Sequence, residues 1–203
     1  MAAVDEVFRP QWGRVLCVIV GAICAISLVT LIATDGVSAA WSAGPALVLV
    51  TGACWALFWR PAVVVHDGGV RLVNVFRTIE LPWPSIERVD TKWALTLYTV
   101  YGRFTGWAAP APGMQESVRN TRRDSQHLPE SAWTSEGSRP GDLPSSSSGG
   151  AALLIRRRWE ALRKAGHLDE PRLEWDRPPI TWHLRQLAIG IGLIGLSVAG
   201  LVL

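Results

Sequence analysis

Val63-Val64-Val65-His66-Asp67-Gly68-Gly69-Val70-Arg71-Leu72-Val73-Asn74-Val75-Phe76 decides the fold of the central part of this chain. Two β-rich runs flank Asp-Gly-Gly, the residue chemistry of a tight hairpin turn. In the second run Val70, Leu72, Asn74 and Phe76 share one face of a strand, because side chains alternate with a period of two. Further short strands follow at Thr78 to Leu81, Ile86 to Val89, Leu95 to Val100 and Arg103 to Ala108. Pro82-Trp83-Pro84 breaks the series, since proline gives no N–H to a ladder. Five or six short strands at this spacing predict a small antiparallel barrel or sandwich.

Beyond residue 110 the composition shifts. Residues 110–150 are rich in Pro, Ser, Gly and charge and end in Ser145-Ser146-Ser147-Ser148-Gly149-Gly150. Such a stretch buries little apolar surface and reads as a flexible insertion. Gln115 to Asp124 offers a short helix within it. Residues 151–165 follow as an amphipathic helix, with Leu154, Ile155, Trp159 and Leu162 on one face. Gly166 supplies the stop.

Three uncharged apolar runs enclose this block: Val15 to Ala33, Ala39 to Phe58 and Leu187 to Leu203. Their lengths suit a bilayer core of about 30 Å. They predict transmembrane helices over 15–33, 39–58 and 187–203, with a soluble domain over 60–175. Arg9 and Arg14 precede the first run, while the link from Thr34 to Ser38 carries only Asp35. Arginines also flank the soluble block. Basic flanks stay cytoplasmic, so residues 1–14 and the soluble block are placed in the cytoplasm and the C-terminus outside. Val37-Ser38-Ala39 resembles a cleavage site, but the run before it is long for a signal peptide and a second run follows at once. Cys17, Cys24 and Cys54 all lie within the apolar runs, which supports neither a disulfide framework nor a zinc site.

Arg60-Pro61-Ala62-Val63, Asp67-Gly68-Gly69-Val70, Leu72-Val73-Asn74, Leu81-Pro82-Trp83-Pro84-Ser85-Ile86-Glu87-Arg88-Val89 and Trp93-Ala94-Leu95 carry a resemblance. Together they are similar to the bacterial pleckstrin-homology (PH-like) domain of actinobacterial membrane proteins. The similarity covers roughly residues 60–110, with the 151–165 helix as the closing helix. It implies a PH-like barrel of about seven strands and a binding or assembly role without a catalytic residue. The insertion before the helix departs from a compact PH domain.

The residues themselves point away from catalysis. No Gly-rich phosphate loop, Gly-x-Ser-x-Gly or His-Glu-x-x-His occurs. His66, His127, His167 and His183 are scattered, and no carboxylate interrupts an apolar run. No cofactor or metal is expected. Basic residues supply the candidate binding groups. Arg77, Arg88, Lys92 and Arg103 are placed around the barrel mouth, and Arg156, Arg157 and Arg158 on the helix, where they could meet anionic lipid headgroups. Ala188, Gly192, Gly195 and Ala199 recur on one face of the last apolar run and form a helix-packing face. The expected function is a non-enzymatic, membrane-anchored adaptor at the plasma membrane. Its partners are the lipid bilayer and a protein or further copies of itself, not nucleic acid. The alternative is an accessory subunit of a membrane enzyme or transporter that acts through its helices.

Overall fold

The Asp-Gly-Gly hairpin forms as its sequence dictates. β2 (Ala62–His66) pairs antiparallel with β3 (Gly69–Val73), with Val63 opposite Leu72 and Val65 opposite Val70. Val63, Val65, Val70 and Leu72 are all buried. β3 ends at Val73, short of the run to Phe76, because Asn74 N donates to Arg77 O at 2.9 Å and turns the chain into β4 (Arg77–Pro82). The computed structural model describes residues 5–110, 146–168 and 175–202. The chain divides into two units: Met1–Arg9 with Ala62–Thr181, and Pro10–Pro61 with Trp182–Leu203.

In the first unit, two further strands extend the hairpin sheet. β1 (Glu6–Phe8) pairs with β2, and β8 (Ile180–Trp182) lies beside β4, giving the order β1-β2-β3-β4-β8. A second sheet has the order β5-β6-β7, formed by Ile86–Asp90, Ala94–Thr99 and Gly102–Pro110. The sheets are separate and do not close on each other, so the barrel expectation is corrected to two open sheets around one core. The Pro-Trp-Pro segment explains the break. Trp83–Ser85 forms a short 3-10 turn. The Trp83 indole is buried and donates from Nε1 to His66 O at 3.1 Å. One anchored aromatic thus ends the first sheet and starts the second.

α3 (Ser147–Lys164) covers the core. Ala151, Ala152 and Ile155 are fully buried, with Leu154, Trp159 and Leu162 packed at the margin. The helix begins four residues before the expected 151. Ser146 Oγ accepts from Gly149 N at 2.9 Å, a side-chain N-cap. Ser148 and Gly149 are buried with it, so tertiary packing offsets the poor helix propensity of the Ser-Gly run. Ser146→Ala is expected to destabilise the helix start by about 1 kcal/mol, read as faster hydrogen exchange over residues 147–152. The rest of the proposed insertion, with the helix read at Gln115 to Asp124, lies outside the described residues.

The second unit is helical. α1 (Gln11–Asp35) and α2 (Val37–Cys54) are joined by one residue, Gly36, at φ 82° and ψ −177°. A side chain is strained there, so glycine makes the sharp link. α2 continues as a π-helical turn over Trp55–Trp59. α1 and α2 are antiparallel. A Cβ on Gly13 would lie 2.9 Å from Phe58 O. Cys17 Sγ donates to Cys54 O at 3.1 Å. Pro45 falls in the interior of α2, which starts at Val37.

α4 (Leu184–Val202) runs antiparallel to α2. Arg60 Nη1 donates to His183 Nδ1 at 2.7 Å at one end. At the other, a Cβ on Gly200 would meet Ser42 O at 2.8 Å. Hydroxyls on these helices bond to their own backbone, as Thr51 does to Leu47 O and Ser197 to Leu193 O. Two helices, Gln11–Asp35 and Val37–Trp59, are long and apolar enough to cross a membrane. The expectation of three such helices is corrected: the apolar stretch Leu184–Gly200 is shorter. At 1.5 Å per residue it spans about 25 Å, below a bilayer core of about 30 Å.

Candidate functional site

The four basic residues read around the barrel mouth, Arg77, Arg88, Lys92 and Arg103, lie on different elements, and Arg156, Arg157 and Arg158 lie on α3 as expected. Sheet register sends the four to different places, and only part of them stay together.

The β2–β3 turn is closed by its own ion pairs. Arg158, on α3, donates from Nη2 to Asp67 Oδ1 at 2.5 Å. Arg71 Nε pairs with Glu80 Oε1 across β3 and β4. Glu80 also meets His66 Nε2 at 3.3 Å. The Gly68 N–H donates to His66 Nδ1 at 3.2 Å, so the ring proton sits on Nε2 and points at Glu80. Arg158 and Arg71 therefore each have an acidic partner. The pairs are solvent-accessible and worth little individually, but they occupy the charges.

The outer face of the β5-β6-β7 sheet is different. Arg88 and Arg103 are both in register with Tyr98, one from each neighbouring strand. The guanidinium carbon of Arg88 lies 4.1 Å from the Tyr98 ring centroid. Cation–π stacking of this kind fixes a guanidinium over the ring. Two strand spacings separate the two arginines by roughly 10 Å. The Thr96 and Thr105 hydroxyls, 3.2 Å apart, extend the same face. Among the described residues no carboxylate pairs with Arg88 or Arg103. The face thus presents one stacked cation, a second exposed cation, an aromatic ring and two hydroxyls. Lys92 follows β5; its backbone N–H donates to Asp90 Oδ1 at 3.0 Å, and its ammonium lies 5.8 Å from the exposed Trp93 ring.

The remaining candidates lie elsewhere. Arg156 donates from Nη2 to Val89 O at 3.2 Å and fastens α3 to β5. Arg157 is exposed on α3. Arg77 begins β4, in the other sheet, next to the Asn74 turn. Sequence reasoning missed Tyr98, whose role depends on strands paired across the sheet. It saw Asn74 only as part of a motif. The Asn74 side chain donates from Nδ2 to Thr105 O at 2.9 Å and accepts from Trp107 N at 2.8 Å. Its local signal was an Asn where a buried-face residue was expected.

In the helical unit Ala188, Gly192, Gly195 and Ala199 are all exposed. A Cβ at Gly192 or Gly195 would meet nothing within 4 Å. α4 meets α2 through a different face, which includes Ser197 and Gly200. Burial also holds the Arg60 guanidinium below its ordinary pKa. Among the described residues, no cluster of three or more His, Cys, Asp or Glu side chains suits a metal ion.

Comparison with curated proteins and with solved structures gives no match. A family model does match, and it covers the hairpin, the Pro-Trp-Pro turn, both sheets from β2 to β7 and the outer face just described. PH domains are generally non-catalytic binding modules. The match is to the bacterial PH domain, over residues 60–142.

Proposed function

We propose that this protein is a membrane-anchored, non-enzymatic adaptor whose PH domain faces the cytoplasm and recognises a protein partner. The observation that carries the anchoring is the outward surface of the helical unit. Val18, Ile26, Val29, Ile189 and Ile191 are each more than half exposed. Apolar side chains turned outward along helices of this length match hydrocarbon, not water. The polar groups gather at one end instead. The start of α1, the end of α2 and the start of α4 bring Arg14, Arg60 and His183 together there, with Arg14 stacked 5.4 Å from the Trp59 ring. The α1–α2 link at the other end carries Asp35 and no base. That asymmetry orients the basic end toward the cytoplasm.

Recognition is assigned to the outer face of β5-β6-β7. Arg88 and Arg103, held apart by Tyr98, suit carboxylates on an acidic protein surface. A second reading rests on the exposed Ala188-Gly192-Gly195-Ala199 face: small residues let another helix approach closely, as in a subunit that assembles through its helices.

A topology reporter fused at Gly141, with alkaline extraction of the membranes, tests the anchoring. The expected result is a protein that resists extraction with a cytoplasmic reporter. A reporter active outside the membrane overturns the orientation, and release by alkali overturns the anchoring.

A further inference from the structure

α1 and α2 pack closely through small residues toward the end of their hairpin remote from Gly36. A Cβ on Gly13 would lie 2.9 Å from Phe58 O, and a Cβ on Gly21 would lie 3.9 Å from Thr51 Cγ2. Cys17 falls between these two glycines, one turn from each, and so shares their face of α1. Cys54 falls one turn from both Thr51 and Phe58 on the facing side of α2. The two thiols therefore meet across a narrow seam. Cys54 Sγ donates to Cys17 Sγ at 3.4 Å, and Cys17 Sγ donates to Cys54 O at 3.1 Å. Both are free thiols. They are 37 residues apart, so nothing local in the sequence pairs them.

The pair sits where α2 departs from regular geometry. Cys54 is its last α-helical residue, and the π-helical turn Trp55–Trp59 follows at once, with Arg60 N donating to Trp55 O at 3.1 Å. Such turns occur often at functional positions. The two thiols differ in access. Cys54 is 8% exposed, whereas Cys17 is only partly buried and lies one turn from Arg14, near the start of α1. Cys24 provides a built-in comparison. It is buried and seven residues beyond Cys17, so it lies roughly 10 Å further along the α1 axis. Disulfides need Cα atoms within about 7 Å. Cys54 is level with Cys17, which leaves Cys24 out of its reach.

We infer that Cys17 and Cys54 are a reversible redox dithiol: a hydroperoxide converts them to a disulfide that staples α1 to α2. Cys17, the more accessible sulfur, reacts first. Its sulfur attacks a peroxide oxygen; the S–O bond forms, the O–O bond breaks, and the other oxygen leaves as water or an alcohol. The product is a sulfenic acid. The Cys54 sulfur then attacks the Cys17 sulfur. The S–S bond forms, the S–O bond breaks, and the departing hydroxide takes the Cys54 proton as water. The two sulfurs together give up two electrons, and the peroxide accepts them. Closing 3.4 Å to a bond of about 2 Å needs only side-chain rotation on helices already in contact. A reducing thiol reverses the bond by exchange. Oxidation thus fixes the contact between α1 and α2, and reduction frees it. The pair lies within the helical unit and needs neither the anchoring nor the recognition proposed above.

Thiol counting on the full chain, purified in mild detergent, tests this. The protein is treated with hydrogen peroxide, unfolded, and alkylated before and after reduction with dithiothreitol. Peptide mass spectrometry assigns each thiol. The expected result is that Cys17 and Cys54 lose alkylation together, with a mass loss of two hydrogens, and both regain it on reduction. Cys24 stays alkylatable throughout, and Cys24→Ser leaves the result unchanged. Cys17→Ser leaves Cys54 alkylatable after peroxide, and Cys54→Ser holds Cys17 as a sulfenic acid that dimedone captures. Equal alkylation of all three thiols before and after peroxide overturns the inference. So does protection that requires Cys24, a cross-link between two copies of the chain, or irreversible oxidation of Cys17 with Cys54 still free.

Discussion

Leu72→Ala is expected to destabilise the two-sheet domain by about 2–5 kcal/mol, a large share of the roughly 5–15 kcal/mol that holds a typical domain together. Leu72 is fully buried on β3, in the middle of the first sheet, with Val63 and Ile79 as its in-register neighbours. Its Cδ2 reaches the second sheet, 3.5 Å from where a Cβ on Gly106 would stand. Truncation opens a cavity between the two sheets, where backbone hydrogen bonds on both sides limit collapse. Hydrogen exchange over residues 62–110 of the full chain reads the loss, with the α1 and α2 peptides unchanged. A loss well under about 1 kcal/mol contradicts the placement of Leu72 at the centre of the core.

Gly69→Val is expected to act through the backbone. A Cβ at Gly69 overlaps Leu81 O and lies 2.8 Å from Pro82 Cα and 2.9 Å from Leu81 C. All three atoms are main chain on the paired strand, so no side chain can swing aside. The strand ends must separate, and the Trp83 bonds to Gly68 O and His66 O, at 3.3 and 3.1 Å, separate with them. Overpacking typically costs about 1–3 kcal/mol and sometimes more, and here the Trp83 anchor is lost as well. Faster proteolysis within residues 66–84 is the expected readout. Protection equal to the parent protein contradicts the close approach of β3 and β4 at this point.

Local signals made much of this fold legible. The Asp-Gly-Gly turn, the Pro-Trp-Pro break and the apolar stripe of the 151–165 helix each depend on residues close in sequence. The apolar runs that became α1 and α2 were equally plain. What escaped depends on distant partners. β1 is only Glu-Val-Phe and exists because β2 offers it an edge. The Ser146–Gly150 run looks like a linker until the sheet buries Ser148 and Gly149 against it. The last apolar run was read at full spanning length, and α4 falls short. The placement of the basic residues was hidden for a related reason. Residue type selected the arginines, but strand pairing gave Arg88 and Arg103 to Tyr98 and Arg77 to the other sheet. Ion pairing then gave Arg158 to Asp67. None of these pairings has a local sequence signature.

The most direct measurement is crosslinking in native membranes, followed by mass spectrometry of what copurifies. The full chain is compared with two full-length variants, Arg88→Glu with Arg103→Glu, and Gly192→Leu with Gly195→Leu. The expected result is a protein partner captured by the parent chain and by the glycine variant, but lost from the arginine variant at equal membrane abundance. A partner that survives the arginine reversal and disappears with the glycine substitutions contradicts recognition by the PH domain and moves it to the helices.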